Sequence, residues 1–283
     1  MTVRARLFTD PACPWSWAAE PALRRLAVEF VDELSWTLVL GGLARSYADD
    51  PDSRGKRVVD WLEVAAETRA PLDPRLWSEG PIRSSYPACM AAKAAAEQGA
   101  ERGAAYLRSL REGLMCLRRK LDSPEALVEE ARRVGLDAER FRRALTSSAT
   151  TEAFGADLEA ARTVPEEAGA AGDTVTDEAG RERVSFPTVA FEGPKGGARR
   201  WVFGFRPYED YRAAAEAVGA RPRGEPAPSV IEAVRRFGRM TTPEVEAVCD
   251  LPGPRASAEL WRLASEWRVR PVRVLGGELW ESG

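Results

Sequence analysis

The stretch TDPACPWSWAAEPAL, residues 9–23, sets a thiol, a proline, an indole and a hydroxyl side by side as Cys13, Pro14, Trp15 and Ser16. A short apolar segment precedes them and a helical pattern follows, so Cys13 falls at a helix N-terminus. Unpaired N–H groups and the helix macrodipole there favour a thiolate over a thiol. The Ser16 hydroxyl, one turn on, is placed to donate a hydrogen bond to that sulfur. Asp10 and Glu20 flank the motif. Asp10 stands where it can cap or position the helix, but its negative charge raises the pKa of a nearby thiol and so opposes reactivity.

Little else in the chain offers nucleophilic or acid–base chemistry. The 283 residues include no histidine, which removes Ser–His and Cys–His pairs, histidine-ligated metals and the usual general base near neutral pH. Cys89, Cys116 and Cys249 are widely separated; no pair has zinc-site spacing, and no metal is expected. Lys and Arg total 41 against 44 Asp and Glu, so bulk charge points to neither nucleic acid nor an anionic membrane. No apolar run approaches the roughly 20 residues of a membrane span. The opening MTVRARLFTD lacks the apolar core and cleavage site of a signal peptide. The expected location is cytoplasmic, where a disulfide framework is not expected.

The elements that must position the motif follow from periodicity. VRARLFT alternates as a half-buried strand, a helix pattern runs from Pro14 to about Phe30, and LSWTLVLGG reads as a second, more buried strand. Strand, helix, strand makes a right-handed βαβ opening with parallel strands. Residues 58–162 turn strongly helical, with Ser123 and Asp137 as caps, Pro124 as a first-turn residue and Gly135 as a stop. PEEAGAAGDTVTDEAGRER, residues 165–183, reads as a surface loop or mobile flap. VSFPTVAFEG and RRWVFGF form an antiparallel hairpin, RPYEDYRAAAEAVG a closing helix, and ARPRGEPAPS a proline-rich linker. Three helical segments and a glycine-turned hairpin complete the chain. The expected organisation is a first α/β domain from residues 1–57 and 163–220, a helical insertion at 58–162, a linker at 221–228 and a small winged-helix-like module at 229–283.

A strand, then Cys13-Pro14-Trp15-Ser16 opening a helix, a helical insertion, and Phe186-Pro187-Thr188 at a later strand start together resemble the DsbA-like branch of the thioredoxin superfamily, over roughly residues 3–220. DPACPWSWAAEPALRRL, SYPACMAAKAA and GFRPYEDYRAAAEA are especially similar to its FrnE-type and YjbH/SpxH-type members. The resemblance implies an α/β, thioredoxin-like fold with a cis Phe186–Pro187 bond. It also implies a thiol–disulfide oxidoreductase, of the isomerase type, whose partner is a thiol- or disulfide-containing protein or a small thiol. Cys13 would be the nucleophile and Ser16 its stabiliser, with Pro14, Trp15, Phe186 and Pro187 binding substrate. Dithiol members carry a second cysteine where this chain has Ser16. Resolution then falls to glutathione, another small thiol, or Cys89, because the insertion overhangs the thiol in this fold. Kappa-class glutathione transferases and hydroxychromene-carboxylate isomerases share the architecture with S-P-Y-S at this place, so a glutathione-dependent reaction stands as an alternative. A non-catalytic, protein-binding adaptor on the same scaffold is another.

Plainer readings stand beside these. Cys13 is also a small apolar residue beside a strand end, and Cys89 among ACMAAKAAA a buried packing cysteine. Trp15 and Trp17 are expected to divide between an exposed and a packed role. Arg118, Arg119 and Lys120 make either a solvated face or an anion site. Residues 229–283 carry eight arginines against eight acidic side chains. Such a module suits a protein partner, or a second copy in a homodimer, better than nucleic acid.

Overall fold

A computed structural model of the chain describes residues 2–177 and 180–283; the Glu178–Ala179 pair in the 165–183 stretch lies outside them. The opening is the expected βαβ unit. Strand β1 (Val3–Thr9) is followed by helices α1 (Pro14–Ala18) and α2 (Glu20–Glu29) and by strand β2 (Leu34–Leu40), which lies parallel to β1. The single helix expected from Pro14 to Phe30 is broken at Ala19. Pro21 is the cause: it has no N–H for the carbonyl of Trp17, and its ring crowds that carbonyl.

A helical block follows, comprising α3 (Pro51–Thr68), α4 (Leu76–Glu79), α5 (Tyr86–Ala96), α6 (Ala100–Met115), α7 (Pro124–Arg133), α8 (Ala138–Leu145) and α9 (Ser148–Arg162). It begins at Pro51, ahead of the boundary read at 58, because Asp50 caps α3 by accepting from the Ser53 N–H at 2.9 Å. Ser123 and Asp137 cap α7 and α8, and Gly135 between them adopts φ +72°, the left-handed turn that favours glycine. Trp61, Trp77, Tyr106 and Phe141 fill the core of the block.

The described residues of 165–183 hold regular elements rather than a surface loop. They form α10 (Glu166–Ala171), β3 (Thr174–Thr176) and β4 (Glu182–Val184), with β3 and β4 antiparallel. Small residues gave no periodicity to read, and the segment is held by side chains distant in sequence. Arg206 reaches Asp173 at 3.0 Å and Arg162 reaches Asp177 at 3.1 Å. Strands β5 (Thr188–Glu192) and β6 (Arg199–Phe203) then close the central sheet in the order β2-β1-β5-β6, and α11 (Tyr208–Ala217) packs against it.

Residues 221–228 carry no regular element. The remainder is α12 (Val230–Phe237), β7 (Met240–Thr241), α13 (Thr242–Val248), α14 (Pro254–Ser265), β8 (Val269–Val274) and β9 (Gly277–Ser282), with a sheet in the order β7-β9-β8. Val234, Met240, Val245, Leu260 and Trp280 give it a separate apolar core. It is docked by buried charge. Glu244, fully inaccessible, meets Arg24 at 3.1 Å and Arg108 at 2.6 Å. Glu20 joins Arg24 and Arg108, each at 3.5 Å, and bonds Arg111, which also donates to Thr9 Oγ1. Burial alone would raise the Glu20 pKa, but Arg111, Arg108 and Arg24 outweigh it and hold that carboxyl below its ordinary value.

Removing one member of a buried ionic cluster strands the others, which costs about 3–5 kcal/mol. Glu244→Ala is therefore expected to lower the urea unfolding free energy by about that amount and to speed tryptic cleavage in the 221–228 linker. Glu246→Ala breaks only the pair with Arg69, whose side chain is 65% exposed, and should cost under about 1 kcal/mol.

Candidate functional site

Strand β1 runs out at Thr9 and hands the chain to Asp10; three residues later Cys13 is the N-cap of α1, with Pro14 in the first helical position. Across from it the Phe186–Pro187 peptide is cis and leads directly into β5. Thr188 Oγ1 donates to the Ser185 carbonyl at 2.8 Å and fixes that turn. The two segments meet where Cys13 Sγ lies 3.7 Å from the Phe186 carbonyl oxygen. Phe8, Val39, Val184, Phe186 and Phe203 complete an apolar setting around the sulfur. Trp15 is half-buried, its ring 5.5 Å from Phe205, whereas Trp17 is buried and donates through Nε1 to the Pro71 carbonyl at 3.0 Å. The two indoles thus divide between a partly accessible place beside the thiol and the core.

The electrostatics oppose a poised thiolate. Cys13 is 3% exposed, and burial pushes its pKa above the ordinary thiol value. Ser16 works the other way, as does the more distant charge of Arg183, while Asp10 adds to the rise. Ser16 Oγ faces the sulfur but forms no well-aligned hydrogen bond with any described residue.

Asp10 is fully buried and collects four donors. Oδ1 accepts from the Ala12 N–H at 2.7 Å; Oδ2 accepts from the Leu43 N–H at 2.5 Å, Ser85 Oγ at 2.8 Å and Cys89 Sγ at 3.2 Å. Burial still raises its pKa against that set. Cys89, read from the sequence as a candidate resolving thiol, is a buried donor to this carboxylate. Burial first, and then the Asp10 charge, hold its proton on well past the ordinary range. Cys116 donates to the Pro71 carbonyl at 3.2 Å, and burial pushes Cys249 up to about 12. All four cysteines are free and buried.

Two residues at the site were missed by sequence reading. Arg183, 4% exposed on β4, stacks its guanidinium 4.2 Å from the Phe186 ring centre and donates to the Val184 carbonyl at 2.9 Å. Its Nε has no partner among the described residues. It sits at the end of a stretch read as a surface loop or mobile flap, and nothing local marks it as buried. Tyr47 is the second: burial, and then the charges of Asp10, Cys13 and Cys89, push its phenol well above the ordinary value. Its hydroxyl is also unpartnered among the described residues. In the Arg118–Lys120 cluster Arg118 and Lys120 are exposed, as a solvated face requires, while Arg118 pairs with Asp73 and Glu79 and Arg119 with Glu130. Among the described residues no group of three Cys, Asp or Glu side chains is arranged to hold a metal ion, and no helix is long and apolar enough to cross a membrane.

Comparison with known proteins agrees with this architecture. A family model described as thioredoxin matches residues 7–165. The chain is 28% identical to a ClpXP adapter protein SpxH of Halalkalibacterium halodurans, across 96% of this chain and 86% of that protein. Its identity to the ClpXP adapter protein SpxH of Bacillus subtilis is 24%, across 98% and 88%. Among solved structures, a putative protein disulfide isomerase from Nitrosomonas europaea aligns with TM-score 0.61 at 18% identity, over 77% of this chain and 97% of that one. The cytosolic disulfide reductase DsbM from Pseudomonas aeruginosa aligns with TM-score 0.56 at 24% identity, over 76% and 97%. The solved structures show the same fold, and the family match, which spans more than half of the chain, shows that this chain belongs to the thioredoxin family.

Proposed function

We propose that this chain is a protein-binding adapter on a thioredoxin-like scaffold, delivering a partner protein to a ClpXP-type protease in the cytoplasm. The observation that carries the reading is the state of Cys13: a buried thiol with a raised pKa, no second thiol in the motif, and its neighbour Cys89 committed to Asp10. A nucleophile that must attack a disulfide near neutral pH needs a usable thiolate fraction, and this environment reduces it. Relatives bearing the adapter name align along nearly the whole chain, the C-terminal module included in that span. With eight positive and eight negative side chains in residues 229–283, the winged-helix-like module suits a protein surface better than a polyanion.

A second reading keeps Cys13 in chemistry. It is favoured by the 3.7 Å approach of Sγ to the Phe186 carbonyl and by the buried Arg183 charge. A substrate strand along Phe186 and Pro187 would present its disulfide to Cys13. Glutathione or another small thiol would then clear the mixed disulfide, because Ser16 cannot.

Site-resolved alkylation separates the two. Under the adapter reading Cys13 reacts with iodoacetamide with a midpoint above about 8.5, the ordinary thiol value. Asp10→Asn removes a charge that disfavours the thiolate, so it should move that midpoint down. The same change should lower stability by about 1–3 kcal/mol, since an amide NH2 cannot accept from the donors Asp10 serves. A wild-type midpoint well below 8.5 would support the exchange reading instead. In a reconstituted degradation assay, Cys13→Ser should keep the delivery of the partner to the protease within about twofold of wild type, a difference below ~0.5 kcal/mol. Loss of delivery with the fold intact would make the sulfur essential.

A further inference from the structure

At its β2 edge the central sheet leaves backbone groups without a partner among the described residues. In the order β2-β1-β5-β6, β2 has a neighbour on one side only. The Val3 N–H donates to the Glu33 carbonyl and the Gly41 N–H to the Thr9 carbonyl, both at 2.9 Å. With the parallel register, odd-numbered residues from 33 to 41 therefore turn their backbone groups toward β1. Leu34, Trp36, Leu38 and Leu40 turn theirs outward. The outward N–H of Leu40 is taken by Asp157 Oδ2 at 2.9 Å. Those of Leu34, Trp36 and Leu38 have no partner among the described residues.

The open stretch borders a cleft of about 990 Å³ between α2, α6 and α12. Leu23, Trp36, Leu38 and Phe237 supply its apolar surface. Its charge is unevenly satisfied. Arg24, Arg108, Arg111 and Arg239 are matched within the ionic cluster by Glu20, Glu112, Glu244 and Glu281. Arg236 is exposed and has no carboxylate within ion-pair distance among the described residues, and Arg133 has only Glu129 and Glu130 at 3.9 and 3.8 Å. The lining also holds one exposed carboxylate without an ion pair among the described residues, Glu101.

We propose that the Leu34–Leu38 edge of β2 takes up an extended, acidic segment of the delivered protein by strand addition, with alternate side chains seated in the cleft. Added backbone pairing satisfies the outward groups of Leu34, Trp36 and Leu38. Residues two apart on the incoming strand share a face, so the set turned into the cleft must carry both the apolar side chains that meet Trp36 and Phe237 and the carboxylates that reach Arg133 and Arg236. The site deepens the adapter reading and rests on it for the identity of the partner.

The test uses the full chain and a fluorescein-labelled peptide of roughly eight residues, an ordinary strand length, in which one set of alternate positions carries both valine and glutamate and the other set is serine. The expected result is saturable binding, with new amide-exchange protection at Trp36 and Leu38. Binding should weaken at least about tenfold, or ~1.4 kcal/mol, when alternate peptide amides are N-methylated or when lysine replaces glutamate. The same loss is expected for the chain carrying Arg133→Glu and Arg236→Glu, both at exposed positions where the melting temperature should hold. Equal binding of the N-methylated peptide overturns strand addition, and equal binding of the lysine peptide overturns acidic selection. If the arginine double variant still delivers its partner at the wild-type rate, this docking site falls and the adapter reading stands. If the glutamate peptide binds as described but no protein is delivered to the protease, the docking site stands and the adapter reading falls.

Discussion

The site is organised around a carboxylate kept out of water. Taking an ionised carboxyl into a protein interior costs several kcal/mol unless its lone pairs are filled, and Asp10 fills them with four donors. Those donors come from the turn before α1, the segment after β2, the start of α5 and the Cys89 thiol. One side chain thereby joins the βαβ unit to the helical block. Three residues before Cys13, its charge adds a smaller contribution to the burial that discourages ionisation of the thiol.

The second organising centre is the ionic junction between α2, α6 and α13. Its members are deeply buried, and each glutamate there faces more than one arginine. Arg111 extends the junction to Thr9, the residue before Asp10. The docked position of the C-terminal module and the end of β1 are therefore connected by contiguous polar contacts rather than by an apolar seam alone.

Much of the scaffold was legible from the sequence because it rests on local signals. The alternation in VRARLFT, the capping residues Ser123 and Asp137, and Phe186-Pro187-Thr188 at a strand start each act within a few residues. The break at Ala19 was local too, but the continuous apolar stripe through Trp17, Leu23 and Leu26 hid the effect of Pro21. What escaped was set by distance in sequence. Arg183 is buried because Phe186 and Val184 fold over it, and the fate of Cys89 is decided by Asp10, 79 positions away. The raised pKa of Cys13 belongs to the same class. A helix start predicts thiolate stabilisation, but burial of the sulfur is a tertiary fact and outweighs the few N–H groups of a five-residue helix.

Glu244 holds two places at once. It accepts from the Thr241 N–H at 2.6 Å while its own N–H bonds Thr241 Oγ1 at 3.2 Å, a capping box that starts α13. Its carboxylate is also the anchor for Arg24 and Arg108. Fraying the first turn of α13 would therefore expose two arginines of the neighbouring domain, and undocking the module would uncap its own helix. The docking of the module and the start of α13 therefore share one carboxylate, although each part has its own apolar core.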